Sequence, residues 1–163
     1  HKQNIYLTGE LGLARKGLEE IKTNFNKNIY RKKNVKRFVF PELRLEISNS
    51  ISRFASSCID ISDGFIADLE KILLPSNQGA VIDLDKIPRT DKSSFNDFIF
   101  GDDLELIFTA DRKYHEEIIK LSYESRININ LIGQTKRNTE IKYTLHNEEV
   151  KFLRNKGWNH GKK

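Results

Sequence analysis

Apolar residues recur along the chain at two spacings, one typical of strands and the other typical of helices. Short apolar runs bounded by glycine, proline, serine, asparagine or aspartate predict strands. These runs lie at residues 5–8, 57–61, 80–84, 104–110 and 127–132. Two further runs, at residues 140–145 and 149–153, flank His146 and Asn147 and predict a hairpin.

Apolar residues three or four positions apart predict helices between these strands. The predicted helices cover residues 11–21, 41–54 with Pro41 in the first turn, 65–74, and a segment from a capping Asp111 to residue 121. Residues 24–37 are polar and basic, and their few apolar members show no clear period. We therefore predict a surface connection there.

The order of these elements indicates an α/β fold of the α+β type, with a mixed β-sheet flanked by helices. Strands alternate with helices along most of the chain, and the hairpin closes it. A length of 163 residues is enough for one sizeable core. We therefore predict a single domain over residues 1–163.

Charge and cysteine content narrow the class of protein. The 28 Lys and Arg residues exceed the 23 Asp and Glu residues and give a net charge of +5, which suits anionic partners such as nucleotides. Cys58 is the single cysteine, which excludes an internal disulfide and favours a reducing, cytoplasmic setting. We expect no membrane partner, because no long apolar run occurs. The chain begins with His1 close to a predicted strand, so we expect it to be part of a longer polypeptide.

The first candidate site is the turn between the second predicted strand and the helix after it. Asp60 ends the strand, and Ser62, Asp63 and Gly64 form the turn. Two carboxylates three residues apart across such a turn can converge on one cation, and Mg²⁺ prefers oxygen ligands. The helix start and the Ser62 hydroxyl favour a nearby phosphate. The alternative is that Ser62 or Asp63 only caps the helix.

The second candidate is Glu105, which lies in an otherwise apolar strand. Alternation places Glu105 on the face opposite Leu106 and Phe108. A buried carboxylate is costly unless it is paired, so we expect a cation, a substrate donor, or an ordinary Lys or Arg as its partner. The preceding Asp102 and Asp103 either belong to this site or are turn residues.

The third candidate is Trp158, in a polar tail, which either stacks on a flat ligand ring or covers the core. The histidines lack HExxH spacing, and the chain has no GxSxG or Walker A motif. These absences argue against a zinc hydrolase and against nucleophilic catalysis, so no side chain is assigned as a catalytic nucleophile or base. Carboxylates near turns instead suit metal-assisted phosphoryl transfer.

Six blocks of sequence, in order, carry a resemblance to a known family. Residues 60–69 (DISDGFIADL) are similar to the motif DISDGL..DL, residues 79–88 to GA.IDLD.LP, and residues 101–109 to GGDDYELLFT. Shorter matches lie at residues 6–12, 41–45 and 157–160. Together the blocks resemble the thiamine-monophosphate kinases, of the aminoimidazole ribonucleotide synthetase-like superfamily. Phe100, Leu104 and Asn159 depart from the residues usual in that family.

The resemblance implies that the chain is the C-terminal domain of a two-domain kinase whose N-terminal domain is absent from these 163 residues. The implied reaction transfers the γ-phosphoryl group of ATP to thiamine monophosphate and gives thiamine diphosphate. The implied site has Asp60 and Asp63 on Mg²⁺, Ser62 on ATP, and Glu105 and Trp158 on thiamine monophosphate. The implied partners are the N-terminal domain and, at full length, a second copy. Because other metal-binding aspartates of the family lie in that N-terminal half, we expect little or no activity from this chain alone.

Two alternatives stay open. A relative in the same superfamily that acts on a purine intermediate or on selenide would share the aspartate-rich phosphate chemistry. A basic nucleic-acid-binding module is indicated by the cluster at residues 27–37, where Tyr30 lies among the cations and Phe25 and Phe38 flank them. No recognised nucleic-acid motif accompanies the cluster, so we expect no nucleic acid partner.

Overall fold

One mixed sheet organises the computed structural model, which describes residues 2–23, 28–90 and 96–151. Its strands are β1 Gln3–Thr8, β2 Ala55–Asp60, β3 Gly79–Asp83, β4 Leu106–Asp111, β5 Ile129–Lys136, β6 Ile141–Leu145 and β7 Glu148–Val150. The strand order is β2-β4-β1-β5-β3-β6-β7. Only the β3–β6 pair is parallel among these described neighbours. The predicted mixed sheet is confirmed.

Six α-helices accompany the sheet in the described parts of the chain. They are α1 Leu13–Thr23, α2 Lys33–Val39, α3 Leu45–Ile51, α4 Phe65–Leu73, α5 Asn96–Ile99 and α6 His115–Ser125. The longest of them, α1 and α6, have 11 residues each, whereas a helix that crosses a bilayer needs about 20. No helix of the described residues is therefore long and apolar enough to span a membrane.

Each face of the sheet is covered by its own helices. Because side chains alternate along a strand, Ile5 and Leu7 of β1 face one core while Tyr6 faces the other. The first core is closed by α4 and α5, through Phe65, Ile66, Leu69, Leu73 and Phe98. The second core is closed by α3 and α6, through Ile47, Ile51 and Ile118. The sheet thus separates two apolar layers, and β1 lies between β4 and β5 near its centre.

The predicted hairpin is also confirmed. Strands β6 and β7 pair antiparallel, with Leu145 opposite Glu148. His146 and Asn147 form the two-residue turn with φ values of 52° and 65°. Positive φ at both positions matches the twist of the flanking strands, and asparagine tolerates it well. The predicted second strand extends beyond residue 151, and that part lies outside the described residues.

The basic segment was predicted wrongly. Residues 29–31 form a 3₁₀ turn, and α2 follows at Lys33–Val39 instead of a surface connection. Helix α2 is only seven residues long, and it buries Val35 together with Arg37. One apolar residue and one buried arginine cannot produce a visible apolar period. Pro41 was also misplaced, because α3 begins at Leu45 rather than in the turn after the proline.

Candidate functional site

The first candidate site lies at the junction of β2 and α4. Asp60 is exposed at the end of the edge strand β2, and Ser62 and Asp63 follow before α4 begins at Phe65. The residue that caps α4 is Gly64, and no side chain makes the cap hydrogen bond. The alternative in which Ser62 or Asp63 serves only as the helix cap is therefore wrong. The three residues of the predicted site therefore lie at the β2–α4 junction.

A buried aspartate organises this turn from inside the helix. One oxygen of Asp68, Oδ2, accepts hydrogen bonds from the backbone N–H groups of Ser62 and Asp63, both at 3.0 Å. These two donors, which precede the N-cap Gly64, are therefore already satisfied, and the predicted phosphate contact of the helix start itself stays a prediction. The other oxygen of Asp68, Oδ1, accepts from the Lys71 ammonium at 2.6 Å. The hydroxyl of Ser62 is left as the predicted phosphate contact of this turn.

Lys71 joins the two acidic side chains. Its Nζ atom lies 2.5 Å from Asp63 Oδ2 as well as 2.6 Å from Asp68 Oδ1. Hydrogen bonds to Asp63 and Asp68 raise the pKa of Lys71, so the ammonium is charged at neutral pH. The two carboxylates therefore already share one cation.

The second candidate motif packs directly against the first. The backbone N–H of Ile61 donates to the Glu105 carbonyl at 2.8 Å, and that of Leu104 donates to the Ile61 carbonyl at 3.0 Å. A Cβ atom on Gly101 would lie 1.8 Å from the carbonyl oxygen of Ser62, so only glycine permits this approach. Residues 101–105 and 60–64 therefore meet through the main chain.

Asp103 has a structural role in this motif. It is buried, and its carboxylate accepts the backbone N–H groups of Gly12 at 2.7 Å and Ala14 at 3.0 Å. These are donors of the first turn of α1, which otherwise lack partners within the helix. Burial raises the pKa of Asp103 to about 6, while the two N–H donors oppose that rise. Asp103 thus fixes the start of α1 beside the motif.

We expect Asp103 to make stability depend on pH. Its pKa is raised to about 6 in the native state. At pH values between the pKa of Asp103 in the unfolded chain, roughly 4, and its native pKa, the native protein binds more protons than the unfolded chain does. The free energy of unfolding should therefore fall as the pH rises through this range. Denaturant titrations at pH 4.5 and 7 should show a loss on the order of 1–3 kcal/mol, and Asp103→Asn should remove it. Equal pH dependence in the two proteins would contradict this assignment.

Glu105 is buried in a cluster of arginines. The Arg37 Nη2 atom makes a very short contact with Oε1 of Glu105, and Arg44 donates to Oε1 at 2.5 Å and to Oε2 at 2.8 Å. The Thr8 hydroxyl donates to Oε2 at 2.6 Å. Only 1% of Glu105 is exposed. The partner expected for this carboxylate is therefore found, and it is a pair of ordinary arginines.

A cavity of about 630 Å³ opens beside this cluster. Its charged lining contains more cations than carboxylates: Arg31, Lys33, Lys36, Arg37, Arg44 and Arg126 against Glu10, Glu42, Glu46 and Glu105. The rest of its lining is Gly9, Leu13, Phe40, Ser125, Ile127 and Asn128. The cavity is therefore a polar, positively charged recess.

The predicted site residues do not all share this cavity. Glu105 lines it, whereas Asp60, Ser62 and Asp63 do not. Trp158 lies outside the described residues, so its predicted contact with thiamine monophosphate stays a prediction. In the described ranges, no group of three or more His, Cys, Asp or Glu residues could hold a metal ion. A metal ion at Asp63 would need further oxygen ligands, which waters and phosphates commonly supply to Mg²⁺.

Several residues of these sites were missed from the sequence. Asp68 and Lys71 had a weak signal, because both lie on one face of the helix that begins two residues after Asp63. Arg44 had a similar one, since it lies in a block that resembles a family motif. Arg37 had no signal in the sequence, because nothing in a polar, basic stretch distinguishes a buried arginine from the exposed ones.

Comparison with curated proteins identifies relatives of the chain. No family model matches it. The thiamine-monophosphate kinase of Buchnera aphidicola subsp. Acyrthosiphon pisum is 32% identical over an alignment of 167 residues. The match covers 96% of this chain and 52% of that protein. The thiamine-monophosphate kinase of Leptospira interrogans is 31% identical, over 91% of this chain and 49% of that protein. The chain spans about half the length of the curated relatives it matches.

Comparison with solved structures identifies the fold. The thiamine-monophosphate kinase from Stenotrophomonas maltophilia K279a has a TM-score of 0.74 at 23% identity, over 91% of this chain and 51% of that one. AaThiL complexed with AMPPCP and TMP has a TM-score of 0.73 at 20% identity, over 97% and 51%. T. maritima PurL complexed with ATP has a TM-score of 0.58 at 13% identity, over 91% and 24%.

These similarities confirm the predicted aminoimidazole ribonucleotide synthetase-like fold. The sequence relationship is the more specific finding, because it singles out one family within that fold. By sequence and by fold, the chain is similar to thiamine-monophosphate kinases, over about half of their length.

Proposed function

We propose that this chain is the C-terminal domain of a kinase that transfers the γ-phosphoryl group of ATP to thiamine monophosphate. The observation that carries the proposal is the sequence relationship to thiamine-monophosphate kinases over nearly the whole chain. The fold neighbour AaThiL, complexed with AMPPCP and TMP, supports binding of both substrates. We further propose that the kinase is cytoplasmic, that an N-terminal domain completes it, and that the full-length protein is a homodimer.

The charge of the β2–α4 turn supports a metal site there. Asp63 and Asp68 each direct one oxygen at a single ammonium group, so the turn already gathers negative charge around one cation. We propose that Asp60 and Asp63 hold Mg²⁺ here, which would neutralise charge on the polyphosphate oxygens. Because the Lys71 side chain is 46% exposed, it can turn away from Asp63 while Asp68 keeps the turn in place.

The side chains around this turn suit substrate positioning. The acceptor is a phosphate oxygen that is already anionic, so no strong base is needed to activate it. The main barrier is the repulsion between two polyanions that must meet in line, and positioning with charge neutralisation lowers it. Ser62 would orient ATP through its hydroxyl. The hydrogen bonds from Ser62 and Asp63 to Asp68 support this role, because they hold the turn in one conformation.

We propose that Glu105 and Trp158 contact thiamine monophosphate. The position of Glu105 on the cavity wall supports the first contact. Since Arg37 and Arg44 neutralise its carboxylate, Glu105 would act as part of a fixed polar wall rather than as an isolated negative charge. The expected role of Trp158 is to stack on a ring of the ligand.

The proposed activity has a direct assay. The full-length protein that contains this chain should form thiamine diphosphate from ATP and thiamine monophosphate, and EDTA should abolish the reaction. Chromatography of the thiamine esters after oxidation to fluorescent derivatives measures it. The 163-residue chain alone should form little or none.

Two outcomes of that assay would contradict the proposal. Turnover by the chain alone would contradict the need for a second domain. A full-length protein that leaves thiamine monophosphate unchanged, but consumes ATP with a purine intermediate or with selenide, would favour the other members of the superfamily.

A further inference from the structure

We propose that Lys71 is the resident counter-ion of the β2–α4 turn, a tethered cation that pairs with Asp63 until a divalent metal ion displaces it. This inference rests on the proposed function, because it takes Asp63 as a ligand of that metal. It adds a residue that sets how tightly the turn binds a metal ion. Lys71 is therefore a positioning residue, since it acts through Asp63 rather than on a substrate.

The ammonium group of Lys71 lies where it opposes a metal ion on Asp63. Its Nζ atom is 2.5 Å from Asp63 Oδ2 and 2.6 Å from Asp68 Oδ1. A Mg²⁺ ion bound to the same Asp63 oxygen would lie about 2.0–2.1 Å from it. Two cations that approach one carboxylate oxygen at such distances repel each other, so the ammonium and the metal ion compete for Asp63. Binding of the metal therefore includes the free energy of breaking this ion pair.

Asp68 tethers the competing cation. Its side chain has no exposed surface, and its Oδ2 atom accepts the backbone N–H groups of Ser62 and Asp63, each at 3.0 Å. The Lys71 ammonium occupies the other oxygen. Because the Asp63 side chain is 17% exposed, water screens its pair with Lys71 more than it screens the pair with Asp68. Lys71 therefore stays with Asp68 when it releases Asp63.

The Lys71 side chain has room to move on its outer side. It is 46% exposed, and lysine carries its charge on a flexible four-carbon stem. The stem can swing the ammonium from Asp63 toward solvent while Asp68 remains within reach. An exposed ion pair is weak, so the displacement of Lys71 lowers the metal affinity of the turn by a modest factor, about three- to tenfold. Lys71 thus tunes the affinity without closing the site.

A second lysine provides the comparison for Lys71. Lys86 pairs with Asp83, three positions earlier, at 3.2 Å, and the two side chains are 59% and 35% exposed. The spacing is the same as that of Asp68 and Lys71. Among the ion pairs of the described residues, Lys86 contacts this one carboxylate, whereas Lys71 bridges two. Lys86→Gln is therefore the matched control, because it makes the same change of charge outside the proposed metal site.

The test is a titration of the 163-residue chain with Mg²⁺ at low salt, followed by ¹⁵N NMR. The amide signals of Ser62, Asp63 and Asp68 should shift together as Mg²⁺ binds at the turn. In Lys71→Gln these shifts should saturate at Mg²⁺ concentrations about three- to tenfold lower, because the competing charge is gone. The glutamine amide keeps a hydrogen-bond donor for Asp68. A disrupted turn would weaken binding, so tighter binding distinguishes this role from a merely structural one.

Two further variants complete the test. Lys71→Arg, which keeps the charge, and Lys86→Gln should both bind Mg²⁺ like the unmodified chain. The inference is overturned if Lys71→Gln binds Mg²⁺ no more tightly than the unmodified chain, or if Lys86→Gln tightens binding as much. It is also overturned if Mg²⁺ moves none of these signals in any variant, a result that removes the proposed metal site as well. Formation of thiamine diphosphate by the full-length protein tests the proposed kinase activity separately.

Discussion

Glu105→Ala is expected to lower the free energy of unfolding by about 3–5 kcal/mol, because it leaves two buried arginines without their counter-ion. The side chains of Arg37 and Arg44 are only 5% and 12% exposed, and both donate to this carboxylate. The variant also removes the acceptor of the Thr8 hydroxyl. Urea or guanidinium unfolding followed by circular dichroism measures the change. Glu105→Gln should be intermediate, since it keeps the shape and one acceptor oxygen but not the charge.

Glu42 provides the matched control for this experiment. Its carboxylate contacts the same two arginines, at 3.2 Å and 3.4 Å, but its side chain is 74% exposed. Solvent-exposed ion pairs contribute about 0–1 kcal/mol, so Glu42→Ala should stay within that range. If Glu105→Ala also stayed within about 1 kcal/mol of the unmodified protein, burial would not be what makes the Glu105 cluster stabilising.

Asp63→Asn should reduce kcat/KM of the full-length protein for phosphorylation of thiamine monophosphate by about a hundredfold or more. The change removes one of the two proposed metal ligands and so weakens charge neutralisation on the polyphosphate, and a hundredfold corresponds to about 2.7 kcal/mol. The fold should tolerate it, because the pair that Asp63 makes with Lys71 is partly exposed. Steady-state kinetics at several Mg²⁺ concentrations measures the effect, and high Mg²⁺ should recover part of the rate.

A distant carboxylate serves as the control for that variant. Glu124 pairs with Lys120 within α6 and is 60% exposed, so Glu124→Gln should leave kcat/KM unchanged. An Asp63→Asn protein with activity within threefold of the unmodified protein, and with the same dependence on Mg²⁺, would remove Asp63 from the proposed metal site.

The parts of the fold that were predicted correctly depend on local patterns. The alternation along β1 places Ile5 and Leu7 opposite Tyr6, and the structure puts them in separate cores. The turn at His146 and Asn147 needs residues that accept positive φ, which sequence reveals directly. A repeating spacing within ten residues is therefore enough to predict an element when one of its faces is buried.

The parts that were missed depend on contacts between distant segments. Helix α2 escaped prediction because its inward face combines Val35 with Arg37, and Arg37 is buried by the carboxylate of Glu105, 68 positions away. No local pattern encodes that pairing. Asp103 is similar, since the sequence left open whether it belongs to the Glu105 site or is a turn residue, and in the structure it accepts N–H groups from the start of α1. Long-range ion pairs and caps of this kind carry no period in the sequence.

In the candidate site, too, the local arrangement was predicted and the contacts between side chains were not. One strand-to-helix turn was expected to hold Asp60, Ser62 and Asp63. They lie there because residues within four positions of one another along the chain are necessarily close in space. The expectation that α4 offers its first N–H groups to a phosphate stays a prediction, whereas the N–H groups of Ser62 and Asp63, just before the helix, are accepted by Asp68. Proximity in sequence was therefore enough to place these residues at one turn. It did not reveal the hydrogen bonds they make there.

We propose that the β2–α4 turn binds the metal of a nucleotide-dependent kinase. A crystal structure of the full-length protein with Mn²⁺ and a non-hydrolysable ATP analogue, with the metal located by its anomalous scattering, tests this most directly. We expect a metal peak within coordination distance, roughly 2.0–2.3 Å, of carboxylate oxygens of Asp60 and Asp63, with Lys71 turned away from Asp63. A nucleotide and metal bound elsewhere, with Asp63 still paired to Lys71, would contradict it.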